Sequence, residues 1–361
     1  MLTRTRFAPE EKQLLLRFWQ SASGYWRGSS GWLGWFLVVL LIANVILQLL
    51  TQYGLNFWNR DFFNAVEQKN QPELIHQALR FVPLAGASIA LDVSSVWVRM
   101  TLQRSWRAWL SSRLYDYWLK DDRYKRLRFI PGDSEAPEYR IAEDAKVATD
   151  LPIDLAVGLL QSLLTIATFI GVLWSVGAGL AIHVGGFALL VPGYLVVAVI
   201  AYSSLLATFI WLAAGRLTRV IEENKRMEAE LRAIGTHLRE SGEGKVTLAA
   251  NTDGRHVIGA ALKAVIHVWR IYCWQLMRMT LVTYTSLLIT PVIGLLLCLP
   301  KYLAGMMTLG EVVQASAAFV VVQTAFNWFT DNYAKLAEWA ASANRVASLL
   351  LALDQDQPPT P

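Results

Sequence analysis

The feature that most constrains this chain is a stretch without charge. From Leu155 to Gly215, 61 residues, there is no Asp, Glu, Lys or Arg. A helix crosses the hydrocarbon core of a bilayer with about 20 apolar residues. The run is too long for one crossing and fits two, with a turn at Gly177, Gly179 and the Gly185-Gly186 pair. Residues 31–50 supply a first span, and residues 81–102 a second that carries one acid, Asp92. A fifth covers 280–299 with Pro291 inside, tolerable in lipid where neighbouring helices re-satisfy the freed backbone. A sixth starts near Leu309, where Thr308 and Glu311 have the T-x-x-E spacing of a capping box, so Glu311 reads first as a cap. The expected fold is all-α: a polytopic membrane protein with six transmembrane helices and long cytoplasmic stalks.

Charge sets the orientation. Of 33 Lys and Arg, 29 fall in the N-terminal segment, in 99–157, in 216–278 and after the sixth span; 4 fall in the alternate connections. Basic residues stay on the cytoplasmic side, so both termini and both long connections are expected there. The net charge of +5 forms no basic stripe, which excludes a nucleic-acid partner of the usual kind. Residues 1–30 have no apolar core and no small-residue cleavage site, so they are not a secretory signal. Pro9, Glu10 and Glu11 read as a helix start, and Gln13 to Gln20 as a helix that lies on the membrane or in solvent. Cys273 and Cys298 on one helix would stand ~38 Å apart at 1.5 Å per residue, against about 7 Å for a disulfide. No Cys/His cluster points to a metal.

The long connections are not ordinary loops. Arg99 to Arg128 reads as a charged helix, Pro131-Gly132 and Pro137 as a turn, and Arg140 to Asp150 as a helix running into span three. The second connection repeats the plan with Arg216 to Glu240, a Gly-rich 241–254, and Arg255 to Arg278. A 25-residue helix reaches about 38 Å, so each is a hairpin that projects well beyond the bilayer. Span six also continues, through Ala334 to Leu353. The domains expected are an N-terminal cytoplasmic or interfacial segment (1–30), a six-helix domain (31–353) with hairpins at about 99–157 and 216–278, and a flexible tail (354–361).

This layout resembles the transmembrane domain of ABC exporters, and short blocks narrow it. Trp58-Asn59-Arg60-Asp61-Phe62-Phe63-Asn64-Ala65 is similar to the WNRDF[FY][DN]A block of the SbmA/BacA-like branch, which is related to the peroxisomal half-transporters. Tyr139 to Asp144 (YRIAED) stands where that branch has QRIAED. Leu231 to Gly244 is similar to its second-loop signature, with Gly242 and Gly244 departing from it. Leu309-Gly310-Glu311, and Asn332 to Arg345, resemble its last span and stalk, with Ala340 where arginine is common. The resemblance implies a permease for peptides or peptide-like bulky solutes in the bacterial inner membrane. It would work as a homodimer by alternating access, with an ATP-binding cassette protein, and its ATP and magnesium, as the partner that powers it. Many members continue into an ATPase domain, whereas these residues stop at Pro361 without a Walker A. Ser241 to Thr247 (SGEGKVT) lacks the G-x-x-x-x-G-K-[ST] spacing and follows a helix. The chain itself is therefore expected to be neither an enzyme nor a cofactor holder. The alternatives are a proton-driven importer of the same branch and a non-transporting scaffold.

Candidate residues follow. Asp92, ionisable inside a span, would line the solute path, carry a proton or bond a neighbouring helix. Trp58, Arg60 and Asp61 at the outer mouth would form a gate, or an interfacial anchor with a local ion pair. Glu143 and Asp144 sit near a helix N-terminus, which favours acids; the resemblance gives them, with Arg140, Arg239 and Glu240, a role in ATPase contact. Glu222, Glu223, Glu228 and Glu230 share one helix and are candidates for proton coupling, or a solvated face. His76 and His183 read as surface histidines.

Overall fold

The computed structural model describes residues 18–28, 31–126, 137–177, 179–184, 187–215, 217–242 and 254–355. After a short helical turn, Gly24–Arg27, come α1 (Gly31–Glu67) and α2 (Gln71–Leu119). A tight 3-10 turn (Lys120–Asp122) and Arg123–Arg126 follow. Pro137–Tyr139 and a π-helical turn, Arg140–Asp144, lead into α3 (Ala145–Gly177). Strands β1 (Leu180–Val184) and β2 (Phe187–Val191) connect to α4 (Tyr194–Ala214), then α5 (Leu217–Gly242), α6 (Gly254–Leu303) and α7 (Leu309–Gln355). Among the described residues, six helices are long and apolar enough to cross a membrane.

Span and stalk are continuous. At 1.5 Å per residue the 49 residues of α2, 50 of α6 and 47 of α7 reach about 70–75 Å, against a hydrocarbon core of about 30 Å. Each therefore stands roughly 40 Å outside it, counting both ends. The start of α2 is fixed by Asn70, whose side chain accepts the Glu73 N–H at 3.3 Å, with Pro72 in the first turn. Its end is fixed by Asp121 and Asp122, both left-handed (φ 55° and 57°), a conformation in which a right-handed helix cannot continue.

The expected turn inside the uncharged run is more than a turn. β1 and β2 pair antiparallel with Leu180 opposite Val191 and Val184 opposite Phe187, so a small hairpin is added to the all-α plan; Gly185-Gly186 at its tip lies outside the described residues. Gly193 then turns the chain into α4 at φ 63°, where a Cβ would also strike the ring of Trp174.

Two apolar clusters hold the molecule. One gathers Leu102, Trp106 and Leu110 of α2, Ile141, Ala145 and Ala148 of the first hairpin, and Ala343 to Leu353 of α7, with Phe18 and Tyr25 beneath. The other gathers Phe169 and Leu173 of α3, Leu195 and Val199 of α4, Cys298 of α6, and Val312 to Val322 of α7. α3 and α7 enter both, so they form the spine. Cys273 and Cys298 are separate thiols on α6, one exposed and one buried.

Candidate transport pathway and stalk contacts

At the short-loop end, the first four N–H groups of a helix have no partner within it. α7 solves this with side chains from two helices. Glu311 N–H donates to Thr308 Oγ1 at 3.2 Å and Thr308 N–H donates to Glu311 Oε2 at 2.9 Å, the expected capping box. Leu309 N–H donates to Glu67 Oε2 at 3.0 Å, and Gly310 N–H to Asn64 Oδ1 at 2.9 Å. Two caps thus come from the end of α1. Gly310 has no room for a side chain: a Cβ would land on the Arg60 carbonyl oxygen. The W-N-R-D-F-F-N-A block is the wall of this clamp. Trp58 Nε1 donates to the Gln77 carbonyl of α2 at 2.8 Å, and Asn56 Nδ2 to the Gln314 carbonyl of α7 at 3.1 Å. Arg60 pairs with Asp61 at 2.9 Å and lies over the Phe57 ring at 4.7 Å. Of the two readings of Arg60 and Asp61, the local ion pair is what the geometry displays.

Along the spans, Asn44 Nδ2 donates to Ser94 Oγ, and Gln48 Nε2 to Asp92 Oδ1. These bonds tie α1 to α2. Asp92 is exposed on this surface rather than sealed between the helices. Nearer the stalks stands a charged group that the sequence reading passed over: Asp154 Oδ1 accepts from Arg99 Nε at 3.3 Å and from Gln103 Nε2 at 2.8 Å. A spacing signal existed in Arg99 and Gln103, one turn apart on α2, but only the α2–α3 packing brings Asp154 to them.

The stalk contacts correct one expectation. Arg140 and Asp144 are 2% and 3% exposed, so neither is surface for an ATPase to grip. Arg345 of α7 places Nε and Nη2 on the Asp144 carboxylate at 2.6–3.0 Å. Arg140 Nη1 donates to the Arg345 carbonyl at 2.7 Å and to Ser348 Oγ at 2.8 Å. Burial pushes the Arg140 guanidinium down from its ordinary value, and Asp144 opposes that; the group stays charged because that ordinary value is so high. Tyr117 OH donates to Asp354 Oδ1, a second lock between first hairpin and final stalk. Of the R-I-A-E-D acids only Glu143 is exposed.

The second hairpin is different. α5 packs along α6 alone, apart from minor contacts. Glu222, Glu228 and Glu230 are exposed and Glu223 half-buried; Glu223 pairs with Arg226 at 3.1 Å and Glu228 accepts from Asn224 at 3.1 Å. The helix face that carries them is largely exposed. Arg239 and Glu240 lie in the last turn of α5, and the rest of the tip, 243–253, is outside the described residues. The stalk half of α6 carries an exposed apolar stripe, Ile258, Leu262, Ile266, Trp269, Cys273 and Met277, at steps of four and three.

Six spans, a helix start on α7 capped from α1, polar groups on span surfaces and a first hairpin locked to the end of α7 define a multi-pass membrane domain. Residues 28–303 match the family described as ABC transporter transmembrane region 2, and the chain belongs to that family. It is 27% identical over 342 residues to "Inner membrane ABC transporter ATP-binding protein YddA" of Escherichia coli, covering 93% of this chain and 60% of that protein. It is 25% identical over 329 residues to an uncharacterized ABC transporter ATP-binding protein of Synechocystis, covering 90% of this chain and 47% of the relative. It is 22% identical over 169 residues to "ABC transporter D family member 2, chloroplastic" of Arabidopsis thaliana, covering 47% of this chain and 24% of that protein. The chain thus spans about half the length of the first two relatives.

Proposed function

We propose that this chain is the permease part of an ABC-exporter-type transporter that moves peptides or peptide-like bulky solutes by alternating access. It acts as a homodimer in a bacterial inner membrane, with stalks and termini in the cytoplasm. The observation that carries this is the lock between Arg140, Asp144 and Arg345. Packed side chains in a fixed ion pair make the first hairpin and the end of α7 one rigid piece. A force applied at the hairpin tip is then delivered to span six, 47 residues long, which runs to the opposite end of the domain.

The second copy is supported by the α6 stripe. Its stalk half carries Lys263, Arg270 and Arg278, so it lies in water, where a contiguous apolar row marks an interaction surface. An ATP-binding protein or domain, with ATP and magnesium, supplies the drive; this chain is not itself an ATPase. Among the described contact candidates, Glu143, Arg239 and Glu240 remain for its docking.

One observation favours the proton-driven alternative: Asp92, a carboxylate exposed on a span and held by Gln48. The test is uptake of a labelled peptide into proteoliposomes. The ATP-driven reading expects transport only with the ATPase partner and ATP. Accumulation by this chain alone, abolished by a protonophore, would replace it with the proton-driven reading. No transport under either drive, in vesicles with folded protein, would leave a membrane scaffold.

A further inference from the structure

We propose that the groove beside the N-terminal turn binds one phospholipid of the stalk-side leaflet, of the kind whose headgroup carries a phosphate and a primary ammonium. Its acyl chain occupies the apolar cavity beneath the turn. The proposal needs only that the stalks leave one face of a membrane, and it is independent of solute and drive.

Two cavities flank the turn. The inner one, about 290 Å³, lies where the N-terminal segment meets α1, α2 and α3, and its walls include Trp19, Leu41, Val45, Ile153 and Leu160. Along α3 it runs from Pro152 to Leu160, about 12 Å at 1.5 Å per residue; one leaflet of hydrocarbon is about 15 Å deep. An apolar cavity of this kind does not hold ordered water, and in a bilayer the neighbouring apolar matter is acyl chain. The outer groove, about 630 Å³, is lined by Tyr25, Ser105, Trp109, Ser112, Arg113 and Asp116. The packed rings of Tyr25, Trp26, Trp106 and Trp109 stand between the two, the residue types that collect at membrane interfaces.

The groove sits at headgroup depth. Asn44 bonds Ser94, so in this antiparallel pair Gly31, where the first span begins, is about level with Arg107, five residues past the end of the second span as read from the sequence. Arg113 lies about 9 Å further out at 1.5 Å per residue, and the polar layer beyond the hydrocarbon is ~5–8 Å deep. A long basic side chain reaches back across that difference. Arg113 is also held in place: its guanidinium lies over the Trp109 ring at 5.2 Å and closes on Gly24, where a Cβ would meet Nη1 at 2.9 Å. Among the described residues neither Arg113 nor Asp116 has an ion-pair partner. Both are exposed, one turn apart, with the cation nearer the bilayer. A phosphate followed by an ammonium has that order of charge. Ser112, beside Arg113, adds a hydroxyl donor for the phosphate.

The experiment uses the full chain, purified in detergent and supplied separately with phosphatidylethanolamine, phosphatidylglycerol and phosphatidylcholine. Retained lipid is read by native mass spectrometry and the unfolding midpoint by heating. Phosphatidylethanolamine should be retained best. Arg113→Gln should lower retention of phosphatidylethanolamine and phosphatidylglycerol about five-fold, what one basic residue at an anionic surface contributes. Asp116→Asn should abolish the preference for phosphatidylethanolamine over phosphatidylglycerol. Ala156→Phe, filling the inner cavity, should lower retention of all three. Lys225→Gln on α5 makes the same charge change as Arg113→Gln far from the groove and should alter nothing. Equal retention of the three lipids, or Arg113→Gln behaving like Lys225→Gln, overturns the proposal. So does an Ala156→Phe protein that melts higher with its bound lipid unchanged, because the cavity would then be a packing void.

Discussion

The Asp144–Arg345 pair ties the first hairpin to the end of α7. Asp144 is buried and Arg345 two-fifths exposed. Removing the arginine takes away the carboxylate's hydrogen-bonded partner and leaves Arg140 as its neighbouring cation; breaking a buried pair costs several kcal/mol when both partners are buried. With one partner partly in water, Arg345→Ala should cost about 2–3 kcal/mol, read as the unfolding free energy of the purified protein. Asp144→Asn leaves the buried Arg140 and its neighbour Arg345 without the carboxylate that offsets their charge, so it should cost at least as much. Equal, negligible losses would show the pair to be idle. Gly310 offers a second test of this kind. Gly310→Ala pushes a methyl into the Arg60 carbonyl and breaks the bond to Asn64, so about 1–3 kcal/mol is expected to be lost. An unchanged melting point would mean that the clamp opens at no cost.

Among the elements, the first turn of α7 and the stripe on α6 are the ones to probe. Thr308→Ala removes one of the side-chain acceptors at the start of α7, and an N-cap of this type contributes about 1 kcal/mol. Glu67 and Asn64 lie on another helix, so Glu67→Gln should raise hydrogen exchange in both the end of α1 and the start of α7. Exchange confined to α1 would argue against a shared cap. On α6, Trp269→Glu places a charge in the centre of the apolar stripe. A buried interface tryptophan often contributes 2 kcal/mol or more, so the dissociation constant of the proposed homodimer should rise at least about ten-fold. Native mass spectrometry across a dilution series reads this; an unaltered dimer would place the interface elsewhere.

For the whole molecule, the proposed activity is transport. If ATP provides the drive, Asp92→Asn should leave ATP-dependent peptide uptake within about two-fold, the size of effect left by an exposed hydrogen bond that the amide can still make. If a proton gradient provides it, the same change should abolish uptake. Arg345→Ala should uncouple an ATP-driven system, with ATP hydrolysis continuing while uptake falls. Uptake that keeps pace with hydrolysis would show that force reaches span six by another route.

Much of this design can be read from the sequence because the solvent enforces it. In hydrocarbon every backbone group must be satisfied within a segment, so an uncharged run of given length must become helices. The Thr308–Glu311 box and the paired stalks are legible for the same local reason: the residues involved are neighbours along the chain or a helical turn apart. The small hairpin at 180–191 was not, since an apolar run of that length fits either helix or strand. Nor were the partners of distant residues. The blocks around Arg60 and Asp144 could be matched to a family, but the residues left open a gate or a local ion pair for the first, and an acid at a helix start or, by the resemblance, an ATPase contact for the second. Tertiary structure made one a clamp on the start of α7 and the other an internal lock on its end. Asn64 and Gly310 are 246 residues apart, and Asp144 and Arg345 are 201 apart. The reason lies in the range of the forces. Hydrophobic length and capping act within a turn or a span and are written locally, whereas an ion pair or a cross-helix cap depends on which two surfaces the packed bundle brings together.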